Sequence, residues 1–193
     1  MVRTLRETLA RRKRRRIERP QRAAVLVPII DDGGPLRLLL TRRTEELPTH
    51  QGQVAFPGGF MDHGETDPVS TALRESKEEV GLPPDRVEIL GALDDFVDRT
   101  DTVAVTPVVG RIVDLPPLIP CALEVARIFY IPVDDLARPG RWSSRTERAV
   151  GVEYRLYFFE HDRETLWGLS AKVTLQLLEV LGLGSPAGPL DPD

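Results

Sequence analysis

Residues 51–82, QGQVAFPGGFMDHGETDPVSTALRESKEEVGL, combine a short apolar run, a glycine turn and an acidic helical pattern. The helix is expected to begin after Asp67, because aspartate is a good N-cap and Pro68 suits the first helical position. Gly81 follows the last residue of the pattern, where helices often end in the left-handed conformation. The sequence therefore predicts a helix over 68–80, directly after a polar loop.

Three glutamates crowd one face of this predicted helix. At roughly 100° per residue, Glu75, Glu78 and Glu79 stand at positions i, i+3 and i+4. Like charges at this spacing repel each other, and a hard divalent cation such as Mg²⁺ or Mn²⁺ would neutralise them. The alternative is an acidic, solvated face, which the three carboxylates alone do not exclude. The opposite face is apolar and is expected to dock against a sheet (Val69, Leu73 and Val80).

The wider pattern resembles the Nudix box, GX5EX7REUXEEXGU. The matching positions are Gly59, Glu65, Arg74, Glu75, Glu78, Glu79, Gly81 and Leu82. Two positions depart from the box. Eight residues instead of seven separate Glu65 from Arg74, and Ser76 occupies a position that is usually aliphatic. Because of the extra residue, either Asp62 or Glu65 can fill the role of the first acid of the box.

A second resemblance lies upstream of the box. Residues 39–44, LLTRRT, and residues 50–59, HQGQVAFPGG, are similar to the motif LLTxRSxxxRxxxGxxxFPGG of the coenzyme A pyrophosphatase branch. That branch also has a loop one residue longer before the Arg-Glu pair, which agrees with the spacing here. Thr44 stands where the motif has serine, and Pro48 stands where it has arginine.

The resemblance implies a fold and a set of site residues. The expected fold is an α/β/α sandwich with a mixed sheet, whereas the pattern of elements alone indicates only α+β. The implied metal ligands for Mg²⁺ or Mn²⁺ are Glu75, Glu78, Glu79 and the Gly59 carbonyl. The implied catalytic residues are Glu75, Glu79 and Arg74, with Arg74 orienting the glutamates. The general base is Glu79, Glu75 or an acid from elsewhere such as Glu124. The expected substrate contacts are Arg42, Arg43, His50, Gln53 and Phe56.

The resemblance also implies a reaction. Coenzyme A, or one of its thioesters, would be cleaved to 3′,5′-ADP and a 4′-phosphopantetheine product. A second possibility within the same class is hydrolysis of another nucleoside diphosphate derivative, such as ADP-ribose or NADH. A third, from a different class, is a Nudix-fold module that binds nucleic acid without turnover. Three repelling glutamates argue against the third, since a pure binder has no use for them.

Composition indicates one ordinary soluble domain. The chain has 193 residues, of which 41% are hydrophobic and 29% charged. Its single cysteine, Cys121, cannot form an internal disulfide, and no apolar run approaches the length of a membrane span. A cytoplasmic protein without a membrane partner is therefore expected. The expected organisation is a basic arm over 1–22, a catalytic domain over 23–181 and a disordered tail over 182–193.

The arm differs in charge from the rest of the chain. Residues 1–22 hold ten Lys and Arg against two Glu, a net charge of +8, and the remainder carries −12. One set of interpretations is attraction to nucleic acid or anionic lipid, or a clamp on a polyphosphate substrate. The other, which we favour, is a helix that offsets the acidic body, either solvated or packed on it. Nucleic acid is accordingly not the expected partner.

The remaining segments are predicted to be mostly strands. Residues 23–30 form an apolar strand that contains Pro28, which places it near a sheet edge or a bulge. A turn over 31–35 leads to a return strand over 36–41, after which Arg42 and Arg43 are expected to leave the sheet. Further strands are expected over 87–96, 103–113, 124–131 and 154–159. Residues 138–148 are the best candidate for a mobile flap, and a last helix is expected from Glu164 or Thr165 to Val180.

Overall fold

The computed structural model describes residues 1–46, 51–149 and 152–188, without the side chains of residues 149 and 152. The helices are α1 Val2–Arg11, α2 Pro68–Val80, α3 Val133–Leu136 and α4 Gly168–Val180. The strands are β1 Gln21–Ile30, β2 Arg37–Arg43, β3 Val54–Ala55, β4 Gly58–Phe60, β5 Glu88–Ala92, β6 Phe96–Val97, β7 Val103–Ile112, β8 Val125–Pro132, β9 Trp142–Ala149, β10 Val152–His161 and β11 Glu164–Trp167. Within these ranges no helix is long and apolar enough to cross a membrane.

Eight strands form one mixed sheet with the order β3-β2-β1-β7-β5. In addition, β4 pairs with β1, β6 with β7, and β8 with β2. The central pair, β1 and β7, is parallel over ten residues, and the other pairs are antiparallel. Strands β9, β10 and β11 form a second, antiparallel sheet. The main sheet is therefore built around two long, buried strands.

Helices cover both faces of the main sheet. Because side chains alternate along a strand, Leu26 and Ile30 of β1 point to one face and Val27 and Ile29 to the other. The first face packs with Ala72 and Val80 of α2 into one apolar cluster. The second face packs into a larger cluster with α1, α4 and the three-stranded sheet. The predicted α/β/α sandwich is thus confirmed.

Strand β1 is central and its pairings show no register shift, so both predicted settings of Pro28, a sheet edge or a bulge, are wrong. On one side it pairs with β7, and on the other with β4 at residues 23–25 and with β2 at residues 29–30. The Leu26 N–H points to this second side, where it donates to the Pro57 carbonyl at 2.8 Å. The Pro28 nitrogen points the same way, since residues two apart in a strand share a direction. Pro28 therefore lies where the partner strand changes, and its missing N–H costs no ladder hydrogen bond there.

The predicted start of the last helix is also wrong, and most of the segment predicted as a flap is a strand. Strand β9 occupies most of residues 138–148 and pairs with β10 from Trp142 onward. Residues 164–167 form β11, in which Glu164 and Leu166 are buried, whereas Thr165 and Trp167 are only partly buried. This alternation is typical of a strand. The helix begins only at Gly168, whose φ of 61° interrupts the strand.

The basic arm packs on the body, one of the placements that its composition left open. Leu5 and Leu9 of α1 are buried in the larger core cluster. Residue 91 must be glycine for this contact, because a Cβ there would lie 2.9 Å from the Leu9 Cβ. Beyond α1, Arg12 and Arg14 reach the body and pair with aspartates at 2.7 and 2.6 Å. Of the predicted tail, Leu183 and Ala187 contact the larger core cluster, and residues 189–193 lie outside the described residues.

Candidate active site

Helix α2 has the ends that its sequence predicts. The Asp67 side chain accepts hydrogen bonds from the N–H groups of Val69 and Ser70, at 3.0 and 3.3 Å. Gly81 ends the helix with a φ of 70°. The buried side of the helix is more polar than expected, because it includes Ser76, whose hydroxyl donates to the Ala72 carbonyl at 2.7 Å. This local bond accounts for a serine at the usually aliphatic position.

The glycine turn lets β4 pass close to both β1 and α2. A Cβ on Gly58 would lie 2.4 Å from the Ala24 carbonyl oxygen, and one on Gly59 would lie 2.5 Å from the Glu75 carboxyl carbon. Both distances are shorter than any normal contact. Gly58 is therefore needed for β4 to lie this close to β1, and Gly59 for the Glu75 carboxylate to lie against the backbone of the turn.

Arg74 connects the acidic residues to this turn. Its Nη1 donates to Glu75 Oε1 at 2.8 Å and to Glu78 Oε2 at 3.2 Å. Its Nη2 donates to the Phe60 carbonyl at 3.1 Å and to Glu65 Oε2 at 3.3 Å. One guanidinium thus holds three carboxylates and one carbonyl in place, which is the orienting role expected of Arg74.

Glu65, and not Asp62, takes the inner position of the loop. The Glu65 carboxylate accepts hydrogen bonds from the Thr71 hydroxyl at 2.7 Å and from the Asp62 N–H at 2.8 Å, in addition to those from Arg74. The bond from Arg74, followed by these two, lowers the pKa of Glu65 to about 2. The Asp62 side chain is 72% exposed and lies 3.6 Å from Arg74. The extra loop residue therefore does not prevent Glu65 from forming its hydrogen bonds with Arg74.

The three box glutamates differ strongly in burial. Glu79 is 4% exposed, and its Oε2 accepts a hydrogen bond from the Gly58 N–H at 3.2 Å. Burial raises the pKa of Glu79 to about 8, although Arg43 lies 3.8 Å away and opposes this shift. Burial also raises the pKa of Glu75, whereas the Glu78 side chain is 59% exposed. The acidic face therefore runs from the protein interior to solvent.

A fourth acid lies near the two buried ones. The charge of Glu124 contributes to the raised pKa of both Glu75 and Glu79. Glu124 is held there by its segment, because the Cys121 N–H donates to the Glu79 carbonyl at 2.8 Å and the Thr44 N–H donates to the Glu124 carbonyl at 3.0 Å. The candidate general bases Glu75, Glu79 and Glu124 thus belong to one electrostatic cluster.

The cluster fits a hard divalent cation by its chemistry. All of its donors are oxygens, and burial raises the pKa of Glu75 and Glu79 despite the nearby Arg74 and Arg43. A cation beside them would favour their ionised form. Within the described ranges no three acidic, histidine or cysteine side chains already converge as ligands. Arg74 instead holds oxygens of Glu75 and Glu78, so these side chains would have to turn to enclose an ion.

Arg42 and Arg43 remain in β2 and do not leave the sheet as expected. The pairing of β2 with β8 shifts register between them, but their contacts place them on opposite faces, since Arg43 reaches Glu79 of α2 and Arg42 reaches Glu164 of β11. Arg43 faces Glu79, and its Nε is buried without a hydrogen-bond partner among the described residues. Arg42 pairs with Glu45 at 2.8 Å and lies 3.9 Å from Glu164 on the other face.

The other expected substrate contacts fall in different surroundings. Gln53 lines a cavity together with Arg42. Phe56 is 4% exposed and packs in the larger core cluster, so it has almost no surface to offer a substrate. His50 lies outside the described residues. Sequence reasoning missed Thr71, whose only signal was a polar residue one turn beyond the N-cap, and it missed the β10–β11 turn that completes the cavity.

Comparisons with known proteins identify relatives of this chain. The model of the NUDIX domain matches residues 20–150. "Uncharacterized Nudix hydrolase NudL" of Pectobacterium atrosepticum is 40% identical over 163 residues, which cover 84% of each chain. The protein of that name from Yersinia pestis is 38% identical over 84% of this chain and 81% of its own.

Solved structures also share the fold. The Nudix hydrolase RenU of M. smegmatis superimposes with a TM-score of 0.52 at 24% identity, over 63% of this chain and 76% of its own. A MutT/nudix family protein from Enterococcus faecalis gives a TM-score of 0.52 at 19% identity, over 90% of this chain and 71% of its own.

Proposed function

Since this chain belongs to the Nudix family of hydrolases, we propose that it is a metal-dependent pyrophosphohydrolase that cleaves coenzyme A or one of its derivatives. The family acts on nucleoside diphosphate derivatives. The proposed products are 3′,5′-ADP and 4′-phosphopantetheine or its derivative. The observation that carries the hydrolase assignment is the placement of half-buried Glu75 and buried Glu79 in one oxygen-rich site, where burial raises the pKa of both.

The chemistry of a diphosphate explains why such charge is useful. Its oxygens are negative and repel an attacking nucleophile, so hydrolysis needs cations at the phosphates and a water molecule aimed in line. Nudix hydrolases generally use divalent ions such as Mg²⁺ or Mn²⁺. Glu75, Glu78, Glu79 and the Gly59 carbonyl would hold the ion, which would neutralise phosphate charge and lower the pKa of a water molecule.

The chain's own residues have distinct tasks in this proposal. Arg74 fixes the orientation of Glu75 and Glu78 through its two hydrogen bonds. The Gly58 N–H fixes Glu79. Arg43, whose side chain is 22% exposed, offers the accessible part of its guanidinium to phosphate oxygens beside Glu79. The proton of the attacking water passes to one of the carboxylates of Glu75, Glu79 or Glu124.

The choice of coenzyme A rests on the motif upstream of the box. Residues 39–44 and 50–59 resemble the coenzyme A pyrophosphatase motif, and β2 brings Arg43 of this motif within 3.8 Å of Glu79. This contact supports a role for Arg43 of the motif beside the box glutamates. Pro48, which stands at the arginine position of the motif, lies outside the described residues.

Product analysis tests the proposal. The full-length protein would be incubated with Mg²⁺ or Mn²⁺ and, in parallel, with coenzyme A, ADP-ribose and NADH, and the products separated by chromatography. We expect 3′,5′-ADP from coenzyme A well ahead of hydrolysis of the other two. A chelator should abolish the reaction, since the site needs its cation.

Two results would change the assignment in different ways. Faster cleavage of ADP-ribose or NADH would agree with a hydrolase but show that the upstream motif does not indicate the substrate. No turnover of any of the three would favour a binding module. Binding of nucleic acid through the arm would then weaken steeply with salt and would not respond to chelator.

A further inference from the structure

A polar cavity lies at the end of β2, on the face of the main sheet opposite Glu79. Its volume is about 380 Å³. Three segments enclose it: the end of β2 with Arg42, residues 51–53, and the β10–β11 turn with its following strand. The catalytic assignment uses none of the residues of that turn.

Arg163 is the most distinctive residue of this cavity. It forms the two-residue β10–β11 turn with Asp162, and the φ angles of the two are 65° and 48°. Such turns favour glycine and asparagine, so a long arginine here adopts a backbone conformation that it otherwise avoids. Within the described part of the chain, the Arg163 side chain makes no hydrogen bond or ion pair. Arg163 therefore offers a free guanidinium to the cavity.

The carboxylates near Arg163 are already engaged. Arg127 pairs with Asp162, and it also donates to Glu164 Oε1 at 3.2 Å. Glu164 lines the cavity, but it is 6% exposed and its charge is offset by Arg127. Arg42, the second cation of the cavity, pairs with the exposed Glu45 at 2.8 Å and more distantly with Glu164 at 3.9 Å. Because exposed ion pairs contribute little, Arg42 can turn to an anionic ligand at small cost.

An aromatic surface and a helix end complete the cavity. Trp167 lines it, and a parallel stack on Phe158, with ring centroids 6.3 Å apart, fixes the indole. Helix α4 begins at the next residue, without a side-chain cap and without an acidic residue in its first turn. The positive end of its dipole, which favours anions, therefore lies beside Trp167.

We propose that this cavity binds the phosphorylated nucleoside end of the substrate, with the base against Trp167 and a phosphate monoester at Arg163. This proposal rests on the proposed function, which supplies a substrate with a nucleoside on one side of its diphosphate. Arg42 and Arg43 are adjacent in β2 but point to opposite faces. A substrate that extends around the end of β2 can therefore place its diphosphate at Arg43 on one face of the sheet and its nucleoside at Arg42 on the other.

Binding without catalysis tests the cavity separately from the reaction. Isothermal titration of the full-length protein, in the presence of chelator, would compare 3′,5′-ADP, 5′-AMP and inorganic phosphate. We expect 3′,5′-ADP to bind at least about tenfold more tightly than 5′-AMP, because a charge-assisted hydrogen bond holds the extra phosphate. Inorganic phosphate should bind more weakly than both, since it lacks a base.

Variants assign the preference to Arg163. Arg163→Gln should remove the difference between 3′,5′-ADP and 5′-AMP, and Arg163→Lys should keep part of it, since the charge remains. The matched control is Arg138→Gln, which changes an arginine that is 65% exposed and does not line the cavity. It should bind both nucleotides as the wild type does. Equal binding of the two nucleotides by the wild type, or an unchanged preference in Arg163→Gln, would overturn the proposal.

The failure of the cavity and the failure of the proposed function give different results. One outcome is that coenzyme A is hydrolysed while Arg163→Gln shows the same affinities for 3′,5′-ADP and 5′-AMP as Arg138→Gln. In that case the proposed function stands and the assignment of the cavity is wrong. If coenzyme A is not hydrolysed but the Arg163-dependent preference persists, the cavity stands and the substrate of the reaction is another nucleotide. If inorganic phosphate binds as tightly as 3′,5′-ADP, the proposed contact between the base and Trp167 is wrong.

Discussion

Two groups of acidic residues with arginine partners lie in different parts of the molecule. In the clasp, which we define as Arg12, Arg14, Asp94 and Asp95, the arm is joined to the body by two arginines and two aspartates. In the acidic cluster, defined as Glu65, Glu75, Glu78, Glu79 and Arg74, three of the four glutamates share one central arginine, and the fourth, Glu79, lies 3.8 Å from Arg43. Both groups contain a carboxylate that is less than 5% exposed.

Their balance of charge and hydrogen bonds differs. Asp95 accepts hydrogen bonds from Arg14, the Thr106 hydroxyl and the Ile17 N–H, at 2.6, 2.7 and 2.9 Å. Glu79 accepts one from the Gly58 N–H, with Arg43 more distant, and burial raises its pKa. A buried carboxylate that is fully bonded stabilises a structure, whereas one that lacks positive charge marks a place for a ligand. The comparison thus distinguishes a structural group from the group for which we propose a catalytic role.

The largest expected effect is that of Glu79→Gln on turnover. Loss of one ligand carboxylate from a metal-assisted reaction should lower kcat by roughly 100-fold or more, since about 3 kcal/mol of barrier corresponds to that factor. Steady-state assays with Mg²⁺ and Mn²⁺ measure it, and Glu147→Gln, on β9, is the control. Near-normal activity would reject the assignment of Glu79.

The same variant should not destabilise the fold. The pKa of Glu79 is raised to about 8, so its contribution to stability is present below its unfolded pKa and is lost as pH rises through the folded value. At pH 8 the neutral glutamine should therefore unfold at the same temperature as the wild type or above it. Thermal unfolding followed by circular dichroism measures this. A clear loss of stability would show that Glu79, like the aspartates of the clasp, stabilises the fold.

Asp95→Asn should have the opposite effects to Glu79→Gln, namely a loss of stability without a loss of turnover. It leaves Arg14, whose side chain is 18% exposed, without its charge partner. Breaking a buried pair from one side costs about 3–5 kcal/mol, and the partial exposure of Arg14 places the loss near the lower end. Urea unfolding measures the loss, and Asp101→Asn, at a 65% exposed ion pair, is the control. Specific activity of the folded fraction should remain, and a large fall in kcat without loss of stability would remove the distinction between the two groups.

The smallest expected effect is a pH dependence at Glu65. Its pKa in the folded protein is about 2, below the ordinary 4.5. A lowered pKa stabilises the fold above the unfolded pKa, and this stabilisation is lost as pH falls through the folded value. The difference in unfolding free energy between the wild type and Glu65→Gln should therefore be constant above pH 4.5 and shrink between pH 4.5 and about 2. Urea unfolding across this pH range measures it, and a constant difference would show that Arg74 does not hold Glu65.

Local signals explain what the sequence predicts correctly. The cap at Asp67 and the left-handed Gly81 each depend on a few neighbouring residues, so both ends of α2 are predicted. The strand pair β1–β2 follows in the same way from two apolar runs and the turn between them. The sandwich follows from the resemblance to a known fold, since element patterns alone give only α+β.

Features that depend on distant partners could not be predicted. The place of Pro28 in a central strand depends on where β4 ends and β2 begins along β1. The strand character of residues 142–148 depends on pairing with β10. The burial of Glu79 beside exposed Glu78 depends on how α2 sits on the sheet, because a helical wheel places both on one face. The unequal roles of Arg42 and Arg43 depend likewise on which elements cover each face of β2.

Binding of Mn²⁺ tests the central claim most directly. An electron paramagnetic resonance titration without substrate would compare the wild type, Glu79→Gln, and Asp95→Asn at a temperature where it is folded. We predict that Asp95→Asn binds Mn²⁺ as the wild type does. Glu79→Gln should bind it more than about tenfold more weakly, since loss of even an outer partner costs a metal site this much. Equal Mn²⁺ affinity in the wild type and Glu79→Gln would contradict the account.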